Sequence, residues 1–270
     1  SDMVYAHDPN FKFTAARAIY KSVLREIYRL HHAGDPIIQP LPIEALGVFL
    51  DGNHAVLHWN AVRDSLEASA WPDDYVIYSR KGQDDWDNGM LTHGKTSVRI
   101  PLERGVHYQF KVAALNDGGE SFPSEPVSVY LADATQQPQV STILIVNAFD
   151  RLSGPARIEE CGRLGFDLDA DVGVSYHDNV FFSGAQHVFT LQQMGREGTG
   201  ALGYCGAEYT GMKLAGNRFD GIELHTDDIL ASMPNINVVS VTRAAFDCFS
   251  TTDLQDYALI DYIGGLQADV

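Results

Sequence analysis

One stretch of the sequence, residues 102–124, constrains the fold more than any other. It alternates apolar and polar residues and then closes in a glycine-rich turn that is followed by Ser121 and Pro123. Alternation with a period of two is typical of a strand that buries one face, and a glycine-rich turn marks where such a strand ends. The stretch therefore predicts part of a β-sandwich, a kind of module that more often binds or spaces than catalyses.

Short strand-like runs recur on both sides of this stretch. They lie at residues 45–50, 55–59, 75–79, 97–100, 108–115 and 127–131. The sequence Asp51-Gly52-Asn53, between the first two runs, is typical of a hairpin turn. Six or seven short strands over about 90 residues match the size of an immunoglobulin-like sandwich. We place this sandwich at residues 40–132.

A helix and a proline-rich linker are predicted ahead of the sandwich, over residues 1–39. Apolar residues recur with a helical period over residues 13–30, and Gly34 followed by Pro36 ends the helix in the usual order. Pro36, Pro40 and Pro42 stiffen the connection that follows.

The pattern changes after residues 132–139, a polar and aperiodic stretch that we interpret as a domain boundary. Residues 142–146 form a continuous β-branched run, which is typical of a strand buried on both faces. Helical patterns then alternate with strand patterns, at residues 188–194, 227–233, 238–241 and 258–263. The expected fold class is multidomain: an all-β sandwich, then an α/β domain with a mostly parallel sheet over residues 140–270.

The charge of the chain argues against two classes of partner. The 270 residues carry a net charge of −17, from 36 acidic and 19 basic side chains. Such a field repels phosphate backbones, so we expect no nucleic-acid partner. No apolar run approaches the length of about 18 residues that a membrane span needs.

No metal and no cofactor are expected. Cys161, Cys205 and Cys248 lie far apart and lack the spacing of a zinc site. They are interpreted as three buried thiols, with a disulfide between Cys161 and Cys205 as the alternative. The loop after residues 142–146 is not a phosphate-binding glycine loop and carries no lysine.

The sandwich region resembles a fibronectin type III domain. The resemblance rests on an early Trp59, on Tyr75 and Tyr78, and on the motif Leu102-x-x-Gly105-x-x-Tyr108, with the turn at residues 116–121. In that family the tryptophan fills the core between the two sheets. The Leu and Tyr of the motif form a tyrosine corner, in which the tyrosine hydroxyl bonds back to the chain.

The whole order of segments resembles the C-terminal region of secreted bacterial N-acetylmuramoyl-L-alanine amidase or xanthan-lyase-like proteins. Residues 7–21, 143–151 and 216–220 together with His225 carry the likeness. It implies that a zinc amidase domain lies upstream and ends in the first helix. It also implies that the α/β domain is flavodoxin-like or glutamine-amidotransferase-like, and that the protein is secreted, periplasmic or at the cell surface. The zinc ligands of that family lie upstream of the first helix, and this chain begins at Ser1, so we expect no amidase centre here.

Candidate ligand-binding residues fall in three loops. Asp150 and Arg151 follow the buried strand, where ligands sit in open α/β sheets. The likeness adds Asn217 and Asp220. Trp71 precedes Pro72 in a polar loop, where it is a candidate for stacking on a sugar or a protein partner, or simply an ordinary loop anchor.

The candidates for catalysis are weaker. Cys205 lies between Gly203 and Gly206 in a sequence that could form a sharp turn, and His225 is its nearest downstream base. The sequence therefore favours a non-catalytic accessory segment of a cell-wall or polysaccharide-degrading protein, which positions an upstream catalytic domain or binds glycan or peptidoglycan. The alternatives are a hydrolase that uses Cys205 and His225 with Asp150, and a protein-interaction scaffold.

Overall fold

A computed structural model of the chain describes residues 9–82, 84–133, 140–148, 156–160, 163–167, 174–175, 182–183 and 221–264. Within these residues the protein is mostly β. None of the described helices is both long enough and apolar enough to cross a membrane.

The first half of the chain contains one long helix and eight strands. They are α1 (Pro9–Leu30), β1 (Glu44–Asp51), β2 (His54–Asn60), β3 (Asp74–Lys81), β4 (Met90–Leu91), β5 (Ser97–Pro101), β6 (His107–Asn116), β7 (Gly119–Glu120) and β8 (Val127–Tyr130). A short 3-10 helix, Ala68–Ala70, interrupts the loop between β2 and β3. The predicted strands are all present, with ends that differ by a few residues. Helix α1 begins earlier than expected because a proline is tolerated in the first turn.

The second half contributes shorter elements. They are β9 (Thr142–Asn147), β10 (Ala156–Glu160), β11 (Arg163–Asp167), β12 (Val174–Ser175), β13 (Phe182–Ser183), α2 (Gly221–Ser232), β14 (Asn237–Thr242), α3 (Arg243–Phe246) and β15 (Leu259–Ile263). A 3-10 turn, Asp253–Asp256, precedes the last strand. Strands β10 with β11, and β12 with β13, pair as separate antiparallel hairpins.

The sandwich is antiparallel and fibronectin type III-like, as predicted. Strands β1, β2 and β5 pair on one side, and β4, β3, β6 and β8 pair on the other. The side chain of Trp59 is 1% exposed and meets Tyr75 edge-on, with ring centroids 5.5 Å apart. The hydroxyl of Tyr108 accepts a hydrogen bond from the Glu103 amide at 3.3 Å, which confirms the tyrosine corner.

Strand β14 joins the two sides of the sandwich although it comes more than a hundred residues later in the chain. It pairs antiparallel with β1 through Gly47 opposite Val241, and with β8 through Val238 opposite Tyr130. Strands β1 and β8 would otherwise be open sheet edges, with unpaired backbone groups. The pairing therefore satisfies both edges with a single segment.

On its other edge β14 pairs in parallel with β9, and β9 pairs in parallel with β15. Because side chains alternate across a strand, β9 serves two cores. Leu144 and Val146 belong to the core of the sandwich, whereas Ile143 and Ile145 pack in a second core with Ile222 of α2.

The sequence-based expectation of an α/β domain is met only in part. The described residues show no separate domain with a parallel sheet. They show three parallel strands and a helix built onto the edge of the antiparallel sandwich, because the buried face of β9 completes the sandwich core. The helix predicted at residues 188–194 lies outside the described residues, as do residues 134–139 of the boundary predicted at residues 132–139.

Two local predictions are wrong. Helix α2 begins at Gly221 and not at residue 227, because the first turn already packs Ile222 against β9, so His225 lies inside the helix. Cys248 is exposed and makes no disulfide. It lies just after α3, and its thiol contacts the Ala244 carbonyl at 3.5 Å. Cys161 and Cys205 lie outside the described residues.

The shared core predicts that the sandwich and the β9–β14–β15 strands unfold together. Replacing the fully buried Leu144 by alanine should destabilise the protein by about 3 kcal/mol, through lost burial and the cavity left behind. Urea unfolding followed by tryptophan fluorescence and by far-ultraviolet circular dichroism should show one shifted transition. Leu66→Ala, at a 74% exposed position, is the matched control and should change stability little. Two separate transitions, only one of them shifted by Leu144→Ala, would contradict the shared core.

Candidate functional site

A buried polar cluster joins helix α2 to the face of the sandwich. His107, at the start of β6, places Nδ1 3.0 Å from Oδ1 of Asp227 on α2 and Nε2 3.0 Å from the Ser128 hydroxyl on β8. One tautomer satisfies both contacts: Nδ1–H donates to Asp227 and Nε2 accepts from the serine. The order of groups is that of a Ser–His–Asp triad.

The burial of Ser128 argues against a triad. Ser128 is only 1% exposed, so no acyl substrate reaches its hydroxyl. Its amide donates to the Ser240 hydroxyl at 2.6 Å, and the same hydroxyl donates back to its carbonyl at 2.9 Å. Ser128 is therefore part of the packing between β8 and β14, and the arrangement fastens α2 to the sandwich.

A second set of polar contacts lies one turn away on α2. Arg80 of β3 forms an ion pair with Glu223 at 2.6 Å and donates to the amide oxygen of the fully buried Gln109 at 2.9 Å. The same guanidinium stacks over Trp86 at 4.7 Å, and the Lys111 ammonium lies 4.4 Å from that ring. These contacts fix the charged end of Arg80 between the sandwich and α2.

The electrostatics of His107 are set by its surroundings. Burial lowers the pKa of His107 below its ordinary value, and this effect outweighs the opposite pull of Asp227 and Glu223. The histidine is therefore neutral at neutral pH, which the hydrogen bond from Ser128 requires.

A second candidate surface is a cleft at the loop between β2 and β3. It has a volume of about 270 Å³ and is lined by Arg63, Asp64, Glu67, Ala68 and Trp71. Trp71 is 49% exposed, in agreement with its prediction as a loop residue, and the Arg63 guanidinium lies 5.7 Å from the centre of its ring.

Helix α1 borders this cleft through its basic side chains. Arg17 bonds Asp64 at 2.9 Å and also donates to the Gln39 carbonyl, while Arg25 bonds Glu67 at 2.6 Å. Burial alone would raise the pKa of Asp64, but the bonds from Arg17 and the Leu66 amide outweigh it, so the pKa lies below its usual value. Asp64 therefore stays ionised and pairs with the helix.

This contact sets the orientation of α1. Four of its apolar residues, Ile19, Val23, Ile27 and Leu30, form a stripe that is between 46% and 66% exposed. The basic face packs on the sandwich because the loop before β3 offers two carboxylates, Asp64 and Glu67, that pair with Arg17 and Arg25.

The other predicted site residues separate into two groups. His225 is described: its Nδ1 lies 2.6 Å from Oδ2 of Asp261 on β15, an ion-pair geometry at a partly exposed position. Asn147, at the carboxyl end of β9, donates to Glu125 in the loop before β8. The remaining candidates, Asp150, Arg151, Cys205, Asn217 and Asp220, lie outside the described residues.

The His107 cluster has no signature in the amino-acid sequence. Its members are far apart in the chain, and a histidine at the start of a strand is not a motif. The one available signal is the polar His107-x-Gln109 pattern on a strand with buried neighbours. In the described part of the chain, no group of three or more His, Cys, Asp or Glu side chains is arranged to hold a metal ion.

Comparison with known proteins finds solved structures that are similar to part of the chain. No protein-family model matches the chain. Among solved structures, the twitchin kinase region from C. elegans is 22% identical over 37% of this chain and 18% of that chain, with a TM-score of 0.32. The third fibronectin III domain of the human KIAA0343 protein is 19% identical over 39% of this chain and 92% of that chain, also with a TM-score of 0.32. The fibronectin III domains FN1–FN3 of chicken CNTN1 are 15% identical over 35% of this chain and 32% of that chain, with a TM-score of 0.30.

The His107 cluster predicts a pH dependence of stability. Folding lowers the pKa of His107, so the unfolded chain takes up the proton first as the pH falls. The free energy of unfolding is therefore highest above the ordinary histidine pKa of about 6.5, and it decreases as the pH falls below that value. His107→Gln should cost about 1–3 kcal/mol at neutral pH and should reduce the further loss on acidification to about pH 5. Urea unfolding at both pH values measures this difference. His58→Gln, at an exposed position on β2, is the control, and an unchanged acid sensitivity in His107→Gln would contradict the assignment.

The contact between α1 and the sandwich predicts a local effect. Asp64→Asn should weaken the docking of α1 by about 2 kcal/mol, a value between those of exposed and fully buried ion pairs. Hydrogen exchange by mass spectrometry should then show amides of α1 opening about 30-fold more readily, with β6 unaffected. The control is Glu26→Gln, which removes an exposed pair with Arg29 and should leave exchange unchanged. Equal protection of α1 in Asp64→Asn and wild type would show that these ion pairs do not hold the helix.

Proposed function

We propose that this chain is a non-catalytic accessory segment of a secreted or cell-surface protein that degrades cell wall or polysaccharide, and that it positions a neighbouring catalytic domain. The resemblance to amidase and xanthan-lyase-like proteins suggests the parent class. The proposal includes three segments, at residues 1–39, 40–132 and 140–270. It also includes a flavodoxin-like layout for the last segment, and the parallel pairing of β9, β14 and β15 supports that layout.

The orientation of α1 is the observation that carries the positioning role. A helix whose basic face is bound to the sandwich and whose apolar stripe faces water has a second face suited to another protein surface. The stripe consists of Ile19, Val23, Ile27 and Leu30, all on one side of the helix. The proposed occupant is the catalytic domain that precedes the helix in the parent protein.

Rigidity on both sides of the sandwich supports the same role. The ion pairs of Arg17 and Arg25 fix α1 at one end. His107 with Asp227, and Arg80 with Glu223, fix α2 at the other. A spacer transmits a fixed geometry between its neighbours only if its own joints are rigid.

The parent protein with its preceding domain provides the test. The double substitution Val23→Asp and Ile27→Asp should separate that domain from α1, because carboxylates in an apolar contact remain unpaired. Small-angle scattering should report a larger maximum dimension, and limited proteolysis should cut faster near residue 9. Both positions are exposed in the present chain, so its own unfolding should be unaffected.

The matched control for this experiment is Ser22→Asp, on an exposed part of the same helix outside the stripe. It adds a charge to α1 without touching the proposed contact. Scattering curves that do not distinguish the stripe variant from Ser22→Asp and from wild type would contradict the positioning role.

Glycan binding is the second candidate, and the cleft at Trp71 favours it. A half-exposed indole in a cleft beside polar side chains has the features that saccharide sites share, namely a flat apolar surface with hydrogen-bonding groups at its edge. Co-sedimentation with insoluble peptidoglycan and with polysaccharides, comparing wild type with Trp71→Ala, tests it.

The hydrolase alternative retains one supporting observation. Asp261 holds Nδ1 of His225, as an orienting carboxylate holds a general base. Its proposed partners, Cys205 and Asp150, lie outside the described residues. Release of sugar or peptide from peptidoglycan by this chain, abolished in His225→Ala, would favour the hydrolase over the accessory role. Protein binding without glycan binding or turnover would favour the interaction scaffold.

A further inference from the structure

We propose that the cleft at the β2–β3 loop binds an acidic saccharide, with a sugar ring against Trp71 and a sugar carboxylate on Arg63. The inference deepens the glycan-binding candidate, on which it rests, by naming the chemical class of the ligand. It depends on three properties of the cleft: a fixed aromatic surface, a guanidinium with free donors, and a local excess of positive charge.

The first property is the fixed position of Trp71. Its carbonyl accepts a hydrogen bond from the buried Asn116 amide at 3.3 Å, and the amide of Asp73 donates to the Leu115 carbonyl at 2.8 Å. Ala70, just before it, is fully buried. The backbone on both sides of the indole is therefore anchored to the sandwich, so little conformational freedom is lost when a ligand binds.

The second property is the availability of Arg63. Its guanidinium lies over the indole at 5.7 Å and makes no hydrogen bond or ion pair with any described residue. Contact with the ring orients the guanidinium while its N–H groups remain free. Two parallel N–H donors match the two oxygens of a carboxylate, which makes arginine the suitable residue for this contact.

The third property is the local charge. Asp64 and Glu67 also line the cleft, but Arg17, Lys21 and Arg25 of α1 bind them. With Arg63, four cations thus surround two carboxylates, on a chain whose net charge is −17. Because both carboxylates are already paired, Arg63 is the cation of the cleft that is left for a ligand.

The same charges argue for a carboxylated sugar over other anions. A polyphosphate carries closely spaced charges that the overall negative field of the chain repels strongly. A saccharide with isolated carboxylates presents one charge to Arg63 and the apolar face of its ring to Trp71. The combination of an indole with one free guanidinium fits that ligand.

Isothermal titration calorimetry with a matched pair of probes tests the proposal. One probe is an oligosaccharide that contains a single galacturonic acid residue, and the other is the same oligosaccharide after reduction of that carboxyl group to an alcohol. Wild type should bind the acidic form about tenfold more tightly, as expected for a charge-assisted hydrogen bond. Arg63→Gln should abolish that preference, Arg63→Lys should retain part of it, and Trp71→Ala should weaken binding of both probes.

The control variant is Arg99→Gln, which removes an exposed guanidinium of β5 that pairs with Asp51, away from the cleft. It should bind like wild type, and all four variants should unfold at the same temperature as wild type because the changed side chains are exposed. Equal affinity for the two probes, or an undiminished preference in Arg63→Gln, would overturn the proposal while leaving glycan binding intact. Absence of binding to either probe and to the insoluble glycans would overturn the glycan-binding candidate as well. The positioning role has its own scattering test.

Discussion

The pairing of β14 with both open edges of the sandwich is the contact on which the rest of the structure depends. Backbone donors and acceptors of β1 and β8 need partners, and β14 supplies them from a distant part of the chain. Once β14 is in place, β9 and β15 add in parallel, and α2 lies on one face of these strands. The side chains of α2 then meet β6 and β3, so the His107 and Arg80 contacts exist only because β14 closes the sandwich.

Electrostatics decide the other end of the molecule. A 22-residue helix with a continuous apolar stripe ordinarily buries that stripe, but α1 binds the sandwich with its arginines instead. The reason is local: the loop before β3 offers the two carboxylates of Asp64 and Glu67, at sites shielded enough to make ion pairs effective. This one preference exposes the stripe and at the same time pairs the two carboxylates that line the Trp71 cleft. Both proposed roles of the segment therefore follow from the same set of ion pairs.

Much of the sandwich could be predicted because its signals are local. The positions of the strands follow from apolar and polar residues that alternate with a period of two. The Trp59 core and the tyrosine corner of Tyr108 follow from the resemblance to fibronectin type III domains, and the structure confirms them. The start of α2 and the exposure of Cys248 were predicted wrongly, since each depends on which surface lies opposite. The cluster of His107, Ser128 and Asp227 had no local signal at all, because its members meet only after long loops have closed.

By itself, the sequence determined the first helix and the main strands of the antiparallel sandwich, because periodicity and turn residues act over a few neighbours. Its motifs also carried the resemblance to fibronectin type III domains. Only the tertiary structure decided that the parallel strands share the sandwich core, that α1 presents its apolar side outwards, and that Arg63 and Trp71 lie together beside neutralised carboxylates. Those features depend on contacts between segments far apart in the chain. The free energy that stabilises them comes from surfaces and charges that become neighbours only in the folded protein.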